Sequence, residues 1–294
     1  MNSKAPMQTA RPLFWLLIGS TCISFAPVFI KLAQVSPDSA GFYRMLFAGL
    51  SLFLLLKIKR ARLLIQRKAL ILLILGGLSL SLDFMCWHRS IHLVGPGFAT
   101  LLANLQVFFT ALFSCFLFKE RIHRNLIIAI LVALIGLLFI TGGDINALSE
   151  SDQLGIFFGL GTAFFYSGYI LLIKSAMNYQ EVSGITAVFI VSITSTGFFS
   201  IVTPATGASF VIPDLVSLLA LIGAGVVCTT IGWSFISSAI KVTTATIASL
   251  FLLLQPALAF VWDVLFFARP TEYTEIVGVL LVLSAIYIGS CQRT

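Results

Sequence analysis

The chain has 294 residues, is 59% hydrophobic, only 10% charged, and carries a formal net charge of +7; its mean hydropathy is +1.06. A soluble globular domain runs at about a quarter charged residues, so that class is excluded. The apolar runs are long and continuous instead of alternating, which excludes a β-barrel. Most of the basic residues sit in short loops beside apolar runs, the pattern of membrane topology and not of a nucleic-acid-binding stripe.

Taken from the first residue, Lys4 and Arg11 precede an apolar run from Leu13 to Ala33. A cleavable signal peptide is the competing reading. The run is too long for a usual signal core and shows no clear small-x-small cleavage site, so it reads as a first membrane span. A hydrocarbon core of ~30 Å needs ~20 apolar helical residues. Breaks at charge clusters, Pro and Gly then give ten spans, near 13–34, 38–57, 69–91, 96–118, 125–141, 153–177, 183–203, 215–239, 244–267 and 273–291. The loops are brief, so no extramembrane domain is expected. Each of the five cysteines lies in an apolar span with no C-x-x-C pair, which reads as small buried hydrophobes. No metal and no cofactor are expected.

With the amino terminus inside, fourteen Lys and Arg fall on the cytoplasmic side and four (Lys31, Arg44, Arg89, Arg269) outside or at outer helix ends. The expected topology is a multi-pass inner-membrane protein with both termini cytoplasmic. The halves also align without gaps in two places. Ser90–Gln106 lies over Ala239–Gln255, and Phe14–Lys31 over Phe157–Lys174. Five spans per half is an odd number, so the second copy enters from the opposite side. The fold expected is an all-α membrane protein, ten transmembrane helices as two inverted five-helix repeats (1–144 and 145–294) around a central cavity. That architecture is common among secondary transporters.

Polar residues in spans are costly and survive when they pair, face a cavity or lie near an end. The third span holds Asp83, His88 and Arg89, with His92 next to it. Asp83 lies ~21 Å along the helix; it either pairs with Arg44 or lines the cavity. Asp83, Trp87 and Ser90 share one face, while His88 points away. Arg89 and His92 also fit a simple snorkelling role. Thr100 and Asn104 line one face of the fourth span. Gln255-Pro256 occupies the matching place in the ninth, where Pro256 predicts a kink. Tyr166 and Tyr169 share a face of the sixth span, as do Trp233 and Ser237 in the eighth. The candidate substrate-binding residues are therefore Asp83, Trp87, Thr100, Asn104, Tyr166, Tyr169, Trp233, Ser237 and Gln255. Asp83 and His88 are candidate proton sites.

The unit LDFMCWHRSIHLVGPGFATLLANLQVFFTALFSCFLFKE and its counterpart FISSAIKVTTATIASLFLLLQPALAFVWDVLFFARPTE resemble the drug/metabolite transporter superfamily, in its ten-helix EamA-type members. Each ends a long apolar helix near an acid, Glu120 and Glu272. Pro256 matches a proline usual there; Gln106-Val107 departs from it in the first half. The resemblance implies a basket-like bundle that transports small metabolites, frequently amino acids or related compounds, often outward, with exchange of nucleoside-like or carboxylate metabolites as the alternative within the class. No nucleotide-binding G-x-x-x-x-G-K-[ST] occurs, so the energy comes from a solute gradient, protons or the membrane potential, and facilitated diffusion fits equally. The expected partners are a small-molecule metabolite and the lipid bilayer, without nucleic acid, in a monomer or weak dimer. An enzyme acting on lipid-borne substrates is the alternative: His88 and His92 at i, i+4 could hold a metal, but no second helix supplies an obvious ligand. A non-transporting receptor or assembly subunit is the third reading, and the short loops leave it little surface for partners.

Overall fold

The computed structural model describes residues 7–60, 65–120, 124–141, 150–179, 182–267 and 272–290. Among these, seven helical stretches are long and apolar enough to cross a membrane. Three shorter apolar helices, Leu102–Phe118, Ile127–Phe139 and Tyr273–Ile288, complete ten spans. The fold is all-helical, two five-helix repeats inverted against each other. The expected boundary at 144/145 lies outside the described residues.

The inversion is visible in which spans pack together. The third packs on the sixth and the first on the eighth; the fourth packs on the sixth and the ninth on the first. The second faces the seventh and the fifth faces the tenth. Exchanging the halves turns each pairing into another of the set or into itself, as a two-fold relation requires. Close backbone approach holds two of these contacts. A Cβ at Gly136 of the fifth span would lie 2.7 Å from the Gly278 carbonyl oxygen of the tenth, and one at Gly19 would lie 2.8 Å from that of Gly232. Only glycine fits there, and small residues are what let membrane helices approach.

Equivalent helices start alike. Ser36 caps the second span, accepting from Ser39 N at 3.2 Å, with Pro37 in the first turn. Ser183 caps the seventh by accepting from Thr186 N at 3.1 Å. A serine cap three residues before a second hydroxyl is therefore written into both halves.

Four local features differ from the sequence expectation. The first span is two helices, Met7–Ser24 and Ala26–Leu32, parted at Phe25 just before Pro27, because proline cannot continue the bonding of the helix before it. In the eighth, residues Ala224–Trp233 form a π-helix between Leu215–Gly223 and Ser234–Ile240. Such wide turns frequently mark functional positions.

The third and fourth spans are not parted by a loop at Gly95-Pro96-Gly97. Helical structure runs from Arg67 to Asn104. A straight helix would set Ser90 and Leu102 about 18 Å apart. Yet a Cβ built at Gly159 lies 3.0 Å from Ser90 Oγ and 2.7 Å from Leu102 Cβ. The chain therefore folds back between them without leaving helical conformation, at the residues most able to bend it.

The kink expected near Pro256 is present: helices Ala245–Leu252 and Leu254–Phe267 part at Leu253. The first half breaks at the matching place, Leu105, without a proline. The side chain of Gln106 links this break to the one in the second half. Leu253 N donates to Leu250 O at 3.1 Å, one residue short of the α-helical partner. The Ser249 carbonyl so released accepts from Gln106 Nε2 at 3.3 Å.

Candidate functional site

The repeats meet at a polar and aromatic cluster at the middle of the bundle. The sixth span, within helix Glu150–Tyr179, supplies Tyr166 and Tyr169 from adjacent turns, their rings 6.4 Å apart and nearly parallel. The π-helix of the eighth span delivers Trp233 edge-on to both, 6.0 Å from Tyr166 and 4.7 Å from Tyr169. Edge-to-face geometry at these distances is the favoured one for aromatic quadrupoles. Gln255, one residue before the kinking proline, donates to the Tyr166 hydroxyl at 3.3 Å. Trp233 is buried and Tyr169 wholly so, its hydroxyl without a partner among the described residues.

Beside this wall lie two charges of opposite sign. Asp83 is 6% exposed and Arg44, from the second span, 9% exposed. They do not form a salt bridge with one another, although Asp83 lies within electrostatic reach of Arg44 and both tyrosines lie within reach of the two. Arg44 spends Nε on Thr229 Oγ1 of the π-helix, at 2.9 Å. Its guanidinium carbon sits 5.3 Å from the Phe84 ring centre, a cation–π contact. No described hydrogen bond engages the Nη atoms of Arg44 or the carboxylate of Asp83. Buried charges with unfilled hydrogen-bonding capacity are costly, because removing an ion from water is repaid only by a good partner. A cationic fork and a carboxylate left open beside aromatic rings make a site suited to a solute bearing both charges and an apolar body.

Of the nine residues predicted to bind, the structure gathers Asp83, Tyr166, Tyr169, Trp233 and Gln255. Trp87 packs on the His88 ring, with centres 5.5 Å apart. Ser90, expected on the Asp83 stripe, is tied to the sixth span by donating to Gly155 O at 2.9 Å. Ser237 is fully buried with its hydroxyl unengaged among the described residues. Asn104 is half-buried at the end of the folded-back helix. The side chains of Thr100, His92 and Asp263 lie outside the described residues. Direct Arg44–Asp83 pairing, one of the two readings of Asp83, does not occur.

Arg44 and Thr229 are site residues that spacing alone did not select. Arg44 had a signal of its own, as an arginine seven residues into an apolar helix that starts at Pro37. Thr229 had none, since nothing in its neighbourhood announces a π-helix.

Inverted repeats that enclose a buried, two-signed, aromatic-walled centre define the class: a multi-pass membrane transporter. The chain belongs to the EamA-like transporter family, which matches residues 10–142 and again residues 153–291. Among its relatives is the pseudopaline exporter CntI of Pseudomonas aeruginosa, 25% identical over 281 residues, covering 94% of this chain and 95% of the exporter. An uncharacterized transporter of Clostridium kluyveri is 26% identical over 221 residues, 71% of this chain and 68% of that protein. A solved crystal structure superposes with a TM-score of 0.77 over 93% of this chain and 95% of its own length. At 16% identity it speaks for the fold alone.

Proposed function

We propose that this chain is a secondary transporter that exports small amphipathic metabolites, amino acids or related zwitterions, across an inner membrane by alternating access. Both termini lie in the cytoplasm in this reading, which rests on the loop charges. The observation that carries the substrate class is the pair Arg44 and Asp83, buried close together with open hydrogen-bonding positions. The guanidinium takes the solute carboxylate, Asp83 takes its ammonium group, and Tyr166, Tyr169 and Trp233 hold its apolar part. Gln255 orients Tyr166. The outward direction is supported by the exporter among the relatives. Asp83 is the principal proton site, discharged when a substrate cation replaces the proton, and His88 relays protons on the same helix.

The test is a thermal-shift screen of the purified protein with amino acids, nucleosides and carboxylates, followed by counterflow of any hit in liposomes. Each hit is compared with its amide and its decarboxylated amine. Stabilisation by the zwitterion, lost in both analogues, is the expected result. Equal stabilisation by an analogue lacking either charge removes the two-point reading.

A further inference from the structure

At the far end of the fourth span from its fold-back, the Glu120 carboxylate collects four donors from the opposite repeat. Lys174 Nζ approaches Oε1 at 2.8 Å, and the same oxygen accepts Ala245 N–H at 2.9 Å. Oε2 takes the Thr246 hydroxyl at 3.2 Å and its N–H at 3.5 Å. Lys174 also donates to the Thr243 carbonyl at 2.5 Å. Both charged side chains are only 8% exposed. The hydroxyl of Ser114 adjoins the same cluster, 2.9 Å from that of Thr246. The fourth, sixth and ninth spans are thus tied at one mouth of the bundle, and every bond to Glu120 crosses between repeats.

Exchange of the halves shows what the other mouth holds. Lys174 aligns with Lys31, and the acid closing the corresponding helix is Glu272. Lys31 and Glu272 are exposed where Lys174 and Glu120 are buried. The helix start Ala245-Thr246 aligns with Pro96-Gly97. Proline has no N–H and glycine no hydroxyl. Two of the four donors that hold Glu120 therefore have no counterpart in the first half, whatever conformation it adopts.

From these facts we infer that Glu120 and Lys174 form an inter-repeat latch on one mouth. The opposite mouth carries a version weakened by sequence, so the transporter rests shut on the Glu120 side. The latch takes its purpose from the transport reading above, but its existence is tested without any solute.

In a background without the native cysteines, Ser114→Cys places a thiol at the fully buried inner edge of the latch. Maleimide labelling of this thiol is slow in the parent. It rises about tenfold in Glu120→Gln and in Lys174→Met, as a shift of that size in a two-state equilibrium requires. Unchanged labelling in both folded variants overturns the latch. If either variant fails to fold, the pair Ser114→Cys/Thr246→Cys reports instead. It crosslinks readily while Glu120 and Lys174 are both present and about tenfold more slowly in the latch variant that folds; equal rates overturn the inference. Labelling that responds while no solute is carried keeps the latch and sinks the transport reading. Flux with unresponsive labelling does the reverse.

Discussion

Two neighbouring turns of the third span handle charge in opposite ways. On the inner turn, Asp83 is buried, makes no described hydrogen bond and feels Arg44 only through space. On the outer turn, Arg89 bends back to donate from Nη1 to Met85 O of its own helix, at 3.1 Å. One charge is held open and the other is spent locally. In a low-dielectric interior only the first retains free energy to give to a solute. The contrast supports the proposal that the substrate binds at the inner turn, although the outer turn looks more polar in sequence.

The sharpest way to break this comparison is to remove an inner charge. Arg44→Met and Asp83→Asn should each weaken binding of a zwitterionic substrate about 30-fold to 100-fold, or ~2–3 kcal/mol, the worth of charge-assisted hydrogen bonds. Isothermal titration on the folded variants measures it. Either variant binding as tightly as the parent would place that residue outside the site.

Next in size is the wall. Trp233→Ala removes the ring that meets both tyrosines edge-on. About tenfold weaker binding is expected from the lost aromatic contacts, together with a lower melting temperature, since truncating a buried Trp costs ~3–5 kcal/mol. Trp233→Phe should recover most of the stability and only part of the affinity. Full affinity in Trp233→Phe would mean that the ring is packing alone.

What sequence reveals here follows physical scale. Continuous apolar length makes the spans visible, because a hydrocarbon core tolerates few interruptions. The repeats show through pairs such as Lys31 with Lys174 and Gln106 with Gln255. Tyr166, Tyr169 and Trp233 could be selected because aromatic rings at mid-span are too deep for an interfacial belt. The fold-back at Gly95-Pro96-Gly97 could not be told from a loop, because both use the same breakers. The π-helix that turns Thr229 toward Arg44 depends on packing against the second span. The separation of Arg44 from Asp83 is a tertiary distance that no spacing encodes.

Glu120 supplies a third treatment of charge, full pairing, and sharpens the contrast by pH. Burial pushes its carboxyl up. The hydrogen bond and charge of Lys174, with the Ala245 N–H and Ser114, outweigh burial, so the group titrates below the ordinary carboxylate range. A lowered acid contributes stability above its unfolded pKa and loses it as pH falls through the folded one. The latch should hold through neutral pH. Relative to an exposed cysteine labelled at the same pH, labelling of Ser114→Cys should rise a few-fold only in acid, below the ordinary carboxylate range. A rise centred near neutrality would assign the opening to another group.

The smallest effects belong to the outer turn. Arg89→Gln should leave binding within about twofold, because its guanidinium is engaged by its own helix and surface charges are worth little. His88→Gln separates affinity from coupling. Imidazole changes charge between about pH 5 and pH 8, where no unperturbed carboxylate does. If His88 relays protons, the variant keeps its substrate affinity but loses part of the pH dependence of counterflow in that window. The residual dependence then belongs to Asp83 and disappears in Asp83→Asn. A His88→Gln profile superimposable on the parent would leave the inner carboxylate, of these two candidates, as the one that the transport cycle uses, and the division between the two turns would be complete.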